Sequence, residues 1–286
     1  MTTNKNEALL NISAMRIKEE RANTCHNYLA FCDSNSKVNR SSRKAVVDWS
    51  FEVANALELS HETVYVALSF FDRYLSSAKA NSQEALDSLP LFELAAAVSL
   101  YLATHLYEPY KSGESIDVFI RMSPRDYNKM DVIGMEQDIL SALDRCVDTP
   151  TPMDYVHQLL HLLPPEYHVQ LLQSCEKHLD KATSDLYYSF FRPSAVGAGI
   201  LASSLVETNV LSVSERNRFW RQLTQTVDLI GAMEVEKMLL QIKQSTLLLR
   251  SPPRRRMEDD DVINNSSEKK SVLNTHSARQ QADDVI

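Results

Sequence analysis

Apolar residues recur along this chain at intervals of three and four, the spacing of helices that bury one face. Four such series lie between residues 43 and 144. The first series consists of Val46, Trp49, Val53 and Leu57. The second follows Ser60, whose hydroxyl is suited to capping a helix. The third, residues 91–106, is small and apolar almost all round, which predicts a helix enclosed by others.

Two Ser/Thr-Pro sequences carry the signals of a helix start: a capping hydroxyl, a proline at the first helical position and an early acid. The first, Ser123 to Asp126, predicts the start of the fourth helix, and the second, Thr151 to Asp154, opens a second half. Helices in that half are predicted at residues 152–163, 166–182, 193–207, 214–225 and 228–249. The helix at 193–207 is again rich in small residues, so the two halves indicate a duplicated helical module.

The ends of the chain differ from its middle. An amphipathic helix is predicted near residues 6–22, within an N-terminal segment 1–40 that also holds a polar linker. The two helical domains are predicted at 41–148 and 149–250. Residues 251–286 are polar and charged and predict a disordered tail. The five glycines in 286 residues also favour long helices. The predicted fold class is all-α.

The composition excludes several classes of protein. A net charge of −8 argues against nucleic-acid binding. The four cysteines are scattered, without a CxxC pair, and predict neither a zinc site nor disulfides. The N-terminus lacks the apolar core of a signal peptide, and the 91–106 run is short for a membrane span. These features predict a soluble protein without a membrane contact.

Catalytic signals are also missing from the sequence. We find no Gly-rich phosphate loop, nucleophile elbow or paired catalytic carboxylates. His157 and His161 stand four apart, but Gln158 occupies the place where a zinc hydrolase needs a glutamate base. The sequence therefore predicts a protein that is not an enzyme and that needs no cofactor or metal.

One candidate ion pair joins the first two helices. Asp72 lies among aromatic residues on an apolar helix, where a buried carboxylate needs a partner. Arg43, at the start of the neighbouring helix, could donate two parallel hydrogen bonds to it. Alternatively, Asp72 points to solvent beside Arg73. Spacing alone leaves both arrangements open.

The same residues belong to a longer pattern. R-x-x-x-V-D-W-x-x-E-V from Arg43, followed by E-T-V-x-x-A-x-x-F-x-D-R-Y-L from Glu62, resembles the signature of the cyclin box. Leu102 to Glu108 is similar to that family's L-A-S-K-x-x-E segment. The resemblance covers about residues 43–155. It implies two five-helix cyclin-box folds in tandem after an N-terminal helix, and a non-catalytic regulatory subunit that binds and activates a cyclin-dependent kinase.

The resemblance also implies a kinase-binding site. In the family, a Lys on the third helix and a Glu on the fifth contact a helix of the kinase. Glu136 occupies the Glu position, whereas His105 stands where the family has Lys. Histidine is shorter and mostly neutral at pH 7. The contact between position 105 and the kinase helix is then weakened, made by a ring nitrogen of His105, or replaced by a contact from another residue. A partly exposed helix residue without a function is the alternative for Glu136.

A substrate-docking patch is implied on the first helix, at Ser42, Val46, Trp49 and Glu52. Ser42 and Val46 are smaller than the usual residues, so docking of basic, leucine-containing peptides is expected to be shallow. Alternatively, Trp49 is a core residue.

Ser251, followed by Pro252, Pro253 and Arg254, is a candidate phosphosite for a proline-directed kinase, with an unmodified linker as the alternative. The expected location is the nucleus and cytoplasm.

Only short motifs indicate which class of cyclin the chain resembles. The sequence has no Arg-x-x-Leu destruction box and no Lys-Glu-Asn box, and residues 15–21 resemble the lead-in of D-type cyclins. It also lacks the Leu-x-Cys-x-Glu motif of many D-type members. We interpret the chain as a divergent G1-type cyclin. The alternatives are a cyclin-fold scaffold and a transcription-related, cyclin-like protein, neither of which would activate a cell-cycle kinase.

Overall fold

The computed structural model describes residues 2–22, 25–30, 37–108, 110, 116–123, 125–223, 233, 236 and 237. Within these residues the regular structure is helical, without a strand. The helices of the N-terminal part are α1 Thr2–Arg21, α2 Arg40–Ala56, α3 His61–Leu75, α4 Ala80–Asp87, α5 Leu89–Tyr107, α6 Ile116–Met122 and α7 Lys129–Ala142. Those of the second half are α8 Pro152–Leu160, α9 His168–Ser184, α10 Pro193–Thr208 and α11 Val213–Leu223. Short 3₁₀ turns occupy Pro165–Tyr167 and Leu186–Phe190.

Helix α5 is the centre of the first bundle. It packs against α3 most extensively and also against α2, α4, α6 and α7. Ala95, Ala97 and Val98 have no exposed surface, so small side chains let the neighbouring helices come close. By length and hydropathy α5 could cross a membrane, but 61% of its apolar stretch is buried within this bundle. The enclosed third helix that the sequence predicts is therefore present.

Helix α10 occupies the corresponding place in the second half. It packs against α8 and α9, and its residues from Ser194 to Leu205 are buried. A Cβ atom at Gly197 would lie 2.5 Å from the carbonyl oxygen of Pro152. Glycine is therefore required where α10 crosses the start of α8. The two enclosed helices give the all-α architecture of two bundles in tandem.

Helix α1 packs on the second bundle. Ala8 and Ile12 are buried, and α1 contacts α8. The Glu19 carboxylate accepts hydrogen bonds from the Ser194 amide at 2.7 Å and the Ser194 hydroxyl at 3.0 Å. This places a negative charge at the N-terminus of α10, where the helix dipole favours it.

The predicted helix starts were correct at two places and wrong at one. Ser60 accepts from the Glu62 amide to cap α3, and Thr151 forms a capping box with Asp154 at the start of α8. The predicted start at Ser123 is wrong, because the Ser123 amide already bonds to Ile120 in the turn that ends α6. Helix α7 begins six residues later, capped by Asn128.

Several other predictions differ from the structure or lie outside it. The short helices α4 and α6 were not predicted, because eight and seven residues are too few to show a period. The helix at 228–249 and the tail at 251–286 lie outside the described residues, apart from Met233, Glu236 and Lys237, which are helical.

Polar contacts join the two bundles. Arg73 of α3 donates to the Cys146 carbonyl at 3.0 Å and to the Thr149 hydroxyl at 3.3 Å, both in the segment that leads to α8. The Tyr65 hydroxyl donates to Asp180 of α9 at 2.6 Å. These bonds fix the second bundle against α3.

Candidate protein-binding site

Arg43 and Asp72 form an ion pair inside the first bundle. Arg43 Nε donates to Asp72 Oδ1 at 3.0 Å, and Nη2 donates to Oδ2 at 2.7 Å. Neither side chain is more than 4% exposed. The Tyr28 hydroxyl donates to the same Oδ1 at 2.6 Å. Asp72 is therefore buried and fully hydrogen-bonded, and it does not point to solvent.

The pair also reaches the second bundle. Arg43 Nη1 donates to the carbonyl oxygens of Thr183 at 3.1 Å and Ser184 at 3.3 Å, at the end of α9. Burial alone would lower the pKa of Arg43, but the Asp72 carboxylate outweighs it and raises that pKa above its ordinary value. Arg43 therefore stays protonated and positively charged inside the bundle. The pair orients α2, α3 and α9 and has a structural role.

His105 and Glu136 lie on two helices that pack side by side. His105 is in the last turn of α5, Glu136 is in α7, and both side chains are half-buried. The His105 imidazole contacts the Tyr101 ring, with 4.2 Å between the ring centroids and an angle of 52° between the ring planes. Burial first, and then the Glu136 carboxylate, raises the pKa of Tyr101. His105 therefore contacts the Tyr101 ring, and the charge of Glu136 influences the ionisation of the same residue.

The end of α5 is fixed by a residue just beyond it. Glu108 Oε1 accepts from the Ser60 amide at 2.8 Å and from the Thr63 hydroxyl at 2.9 Å. A carboxylate at the start of α3 also suits the dipole of that helix. Because Glu108 follows His105 by three residues, this contact holds the last turn of α5 in place.

Apolar side chains flank the two polar residues. Leu106 is 49% exposed, and Ile133, one turn before Glu136, is 36% exposed. We define the α5–α7 surface as Tyr101, His105, Leu106, Ile133 and Glu136. Within the described residues, Glu136 has neither an ion pair nor a hydrogen bond. A half-buried carboxylate between exposed apolar groups is suited to contact with a donor on another protein.

The residues of the predicted docking patch fall into two groups. Ser42, Val46 and Trp49 line a groove of about 480 Å³ together with Glu93 and Met122. Glu52 is exposed but does not line it. Trp49 is half-buried and packs against the first core, and its Nε1 donates to the Met122 carbonyl at 2.7 Å. Trp49 thus contributes to both the core and the groove.

The structure extends the set of residues chosen from the sequence. Tyr101 and Glu108 were not predicted to take part, although Tyr101 precedes His105 by four residues and therefore shares its helix face. The role of Glu108 depends on the approach of α3, which no local pattern reveals. Ser251 lies outside the described residues.

Comparison with known proteins gives the family. Residues 11–147 match the profile described as "Cyclin, N-terminal domain". A stretch of 191 residues is 29% identical to Cyclin-A3-2 of Arabidopsis thaliana and covers 66% of this chain and 48% of that protein. The chain spans about half the length, or less, of the curated plant relatives that it matches.

Solved structures share the fold. A viral cyclin from herpesvirus saimiri superposes with a TM-score of 0.61 at 15% identity, over 80% of this chain and 94% of the viral one. A chain of the yeast RNA Pol II CTD kinase CTDK-1 complex superposes with a TM-score of 0.56 at 13% identity, over 87% and 76%. At 13–15% identity these matches show a shared fold. The profile match places a cyclin N-terminal domain at residues 11–147, and the cyclin relatives agree with it.

Proposed function

We propose that this chain is a non-catalytic regulatory subunit that binds and activates a cyclin-dependent Ser/Thr protein kinase. The observation that carries the proposal is the α5–α7 surface, where half-buried His105 and Glu136 lie on two helices that pack side by side, next to the exposed apolar side chains of Leu106 and Ile133. These residues occupy the positions with which the family contacts its kinase. The match of residues 11–147 to the cyclin N-terminal domain supports the same function.

The mechanism that we propose is conformational. A kinase that is mostly inactive alone is shifted towards its active arrangement by a partner that binds that arrangement more tightly. A partner with this task needs a surface that does not deform on contact. Glu108 fixes the end of α5, and the Arg43–Asp72 pair fixes the bundle behind it.

The test combines capture and activity. The wild-type chain, Glu136→Lys and Glu166→Lys are used to capture kinase from native extract, and each complex is assayed on histone and a Ser-Pro peptide. Glu166 is exposed in the second bundle, so its substitution makes the same charge change elsewhere. We expect Glu136→Lys to reduce captured activity at least tenfold and Glu166→Lys to have no effect. Wild-type activity of Glu136→Lys would mean that the interface is misplaced.

A cyclin-fold scaffold is the second candidate, because His105 replaces a lysine that the family uses for a charge-assisted contact. A scaffold would capture a kinase that stays inactive. The assay above separates the two functions, since the amount of kinase and its activity are measured on the same sample.

We further propose that the groove beside Trp49 binds basic, leucine-containing substrate peptides. Glu93 contributes a carboxylate, and Val46 and Trp49 contribute apolar surface. Arg125 pairs with Glu93 at 2.5 Å and would have to release it to a basic peptide. A labelled peptide should bind Trp49→Ala more weakly than wild type. Equal binding would remove this proposal.

The proposed role is G1-type, in the nucleus and cytoplasm. The resemblance of residues 15–21 to the lead-in of D-type cyclins supports it, whereas the relative described above has an A-type name. Protein levels through a synchronised cell cycle would test it, because a G1-type role requires the chain to be present before DNA replication.

A further inference from the structure

The unusual residue of the α5–α7 surface is His105, and its hydrogen bonding defines what it offers a partner. His105 Nδ1 lies 3.3 Å from the Tyr101 carbonyl oxygen, four residues back in α5. A carbonyl oxygen only accepts, so this contact is a hydrogen bond only in the tautomer that carries the proton on Nδ1, and it favours that tautomer. In a neutral imidazole the other nitrogen, Nε2, is then an acceptor. Within the described part of the chain, Nε2 has no hydrogen-bond partner.

The ring contact with Tyr101 restricts the orientation of this acceptor. Because the imidazole lies against the Tyr101 ring and Nδ1 is bound to the helix backbone, the His105 ring is held at two places. Rotation of the ring to exchange its nitrogens would give up the bond to Tyr101. The ring therefore presents Nε2 with little entropic cost on binding.

Glu136 is an acceptor as well, since an ionised carboxylate has no proton to donate. It lies on α7, which packs against α5, and after burial its charge is the second cause that raises the pKa of Tyr101, the residue that His105 contacts. Both polar groups at this surface, His105 Nε2 and the Glu136 carboxylate, are therefore hydrogen-bond acceptors. With a lysine at position 105, the surface would instead present one donor and one acceptor.

We propose that the α5–α7 surface recognises a kinase segment that presents hydrogen-bond donors to both His105 and Glu136, with a basic side chain opposite Glu136. This inference rests on the proposed function, because it specifies the chemistry of the same partner. A segment that presents carbonyl oxygens to position 105 fits poorly, since two acceptors repel. Leu106 and Ile133 provide the apolar contacts beside these bonds.

The first test needs no partner. Imidazole nitrogen NMR of the full chain at pH 8 distinguishes the two neutral tautomers, and comparison with His105→Gln assigns the signal. We expect the proton on Nδ1. A proton on Nε2 would make that nitrogen a donor and overturn the inference.

The second test ranks substitutions at position 105. The probe is the kinase subunit purified from the complex that the wild-type chain captures, and the measurement is its dissociation constant. We expect His105→Gln, whose carboxamide oxygen can accept, to bind within about threefold of wild type. His105→Lys should bind at least tenfold more weakly, because its ammonium group faces donors. His161→Lys, at an exposed histidine in the second bundle, is the matched control.

The outcomes separate the two proposals. Binding of His105→Lys that equals or exceeds wild type would show that the partner presents acceptors, and would overturn this inference while leaving the proposed function intact. Failure of the wild-type chain to capture any kinase would remove both. Circular dichroism and the melting temperature of each variant show whether a loss of binding reflects a loss of fold.

Discussion

Arg43 and Asp72 are joined by two parallel hydrogen bonds of 3.0 and 2.7 Å in the interior of the first bundle. The same guanidinium bonds to the end of α9, so one residue connects three helices of two bundles. Asp72 belongs to α3, which packs extensively against α5, so the pair supports the helix that carries His105.

Removal of one partner of this pair should destabilise the fold strongly. Asp72→Ala leaves the Arg43 charge buried without a carboxylate, and such changes cost about 3–5 kcal/mol. Denaturant unfolding measures the loss. The double variant Arg43→Met/Asp72→Leu, which removes both charges, should be more stable than Asp72→Ala. A loss below about 1 kcal/mol in the single variant would show that water or another group neutralises Arg43.

Glu19 should hold α1 on the second bundle. Glu19→Ala removes two hydrogen bonds to Ser194 and the charge at the start of α10. Hydrogen bonds to charged groups contribute about 1.5–3 kcal/mol each, so amide exchange across α1 should accelerate at least tenfold. Hydrogen-exchange mass spectrometry measures it. Glu7→Ala, at an exposed position of the same helix, is the control. Equal exchange in both variants would contradict the capping role.

Two glycines should respond in opposite directions to alanine. At Gly197 a new Cβ would lie 2.5 Å from the Pro152 carbonyl and 3.0 Å from Tyr155 Cβ, and overpacking of this kind costs about 1–3 kcal/mol. At Gly134, in α7, nothing lies within 4 Å, so alanine should stabilise the helix by up to about 1 kcal/mol. Thermal unfolding measures both. A stable Gly197→Ala variant would mean that α8 and α10 can separate without cost.

These contacts show what the sequence could and could not predict. The Ser60 and Thr151 caps were predicted because each bond closes within three residues. The Ser123 start was wrong because the same local signal occurs at the end of a short helix. Glu19 was missed because its partner Ser194 is 175 residues away. For Asp72 the spacing left two arrangements open, and only the packing of α2 on α3 decides between them.

The candidate site also has features that the sequence predicted and features that depend on tertiary packing. Family resemblance identified the positions of His105 and Glu136, whereas the influence of Glu136 on Tyr101 depends on how α5 and α7 pack. The acceptor character of His105 depends on a single backbone contact, at 3.3 Å. Helical spacing placed Tyr101 on the same face as His105, but it did not show which ring nitrogen the backbone occupies.

His157 should contribute a pH-dependent contact between the bundles. Its Nε2 lies 2.9 Å from Glu62 Oε1, and this hydrogen bond raises the pKa of His157, against burial and with the help of the charges on Glu62, Asp154 and Glu176. A raised histidine pKa means that the stabilisation is present below about pH 6.5, the value of a free histidine, and is lost as the pH rises through the pKa of the folded state.

The comparison of wild type with His157→Gln tests this contact. Because both side chains are more than one third exposed, the contribution should stay below about 1 kcal/mol. The difference in melting temperature should shrink between pH 6 and pH 8.5. His161→Gln, which has no ion pair within the described residues, should show no such trend. A difference that grows with pH would contradict the assignment.

Hydrogen exchange of the kinase complex tests the central claim most directly. Amide exchange is compared between the free chain and the chain bound to the kinase that it captures. If α5 and α7 together form the docking surface, binding should slow exchange in residues 101–108 and 129–137, while α11 is unaffected. Protection confined to the second bundle, with the ends of α5 and α7 unchanged, would contradict the account.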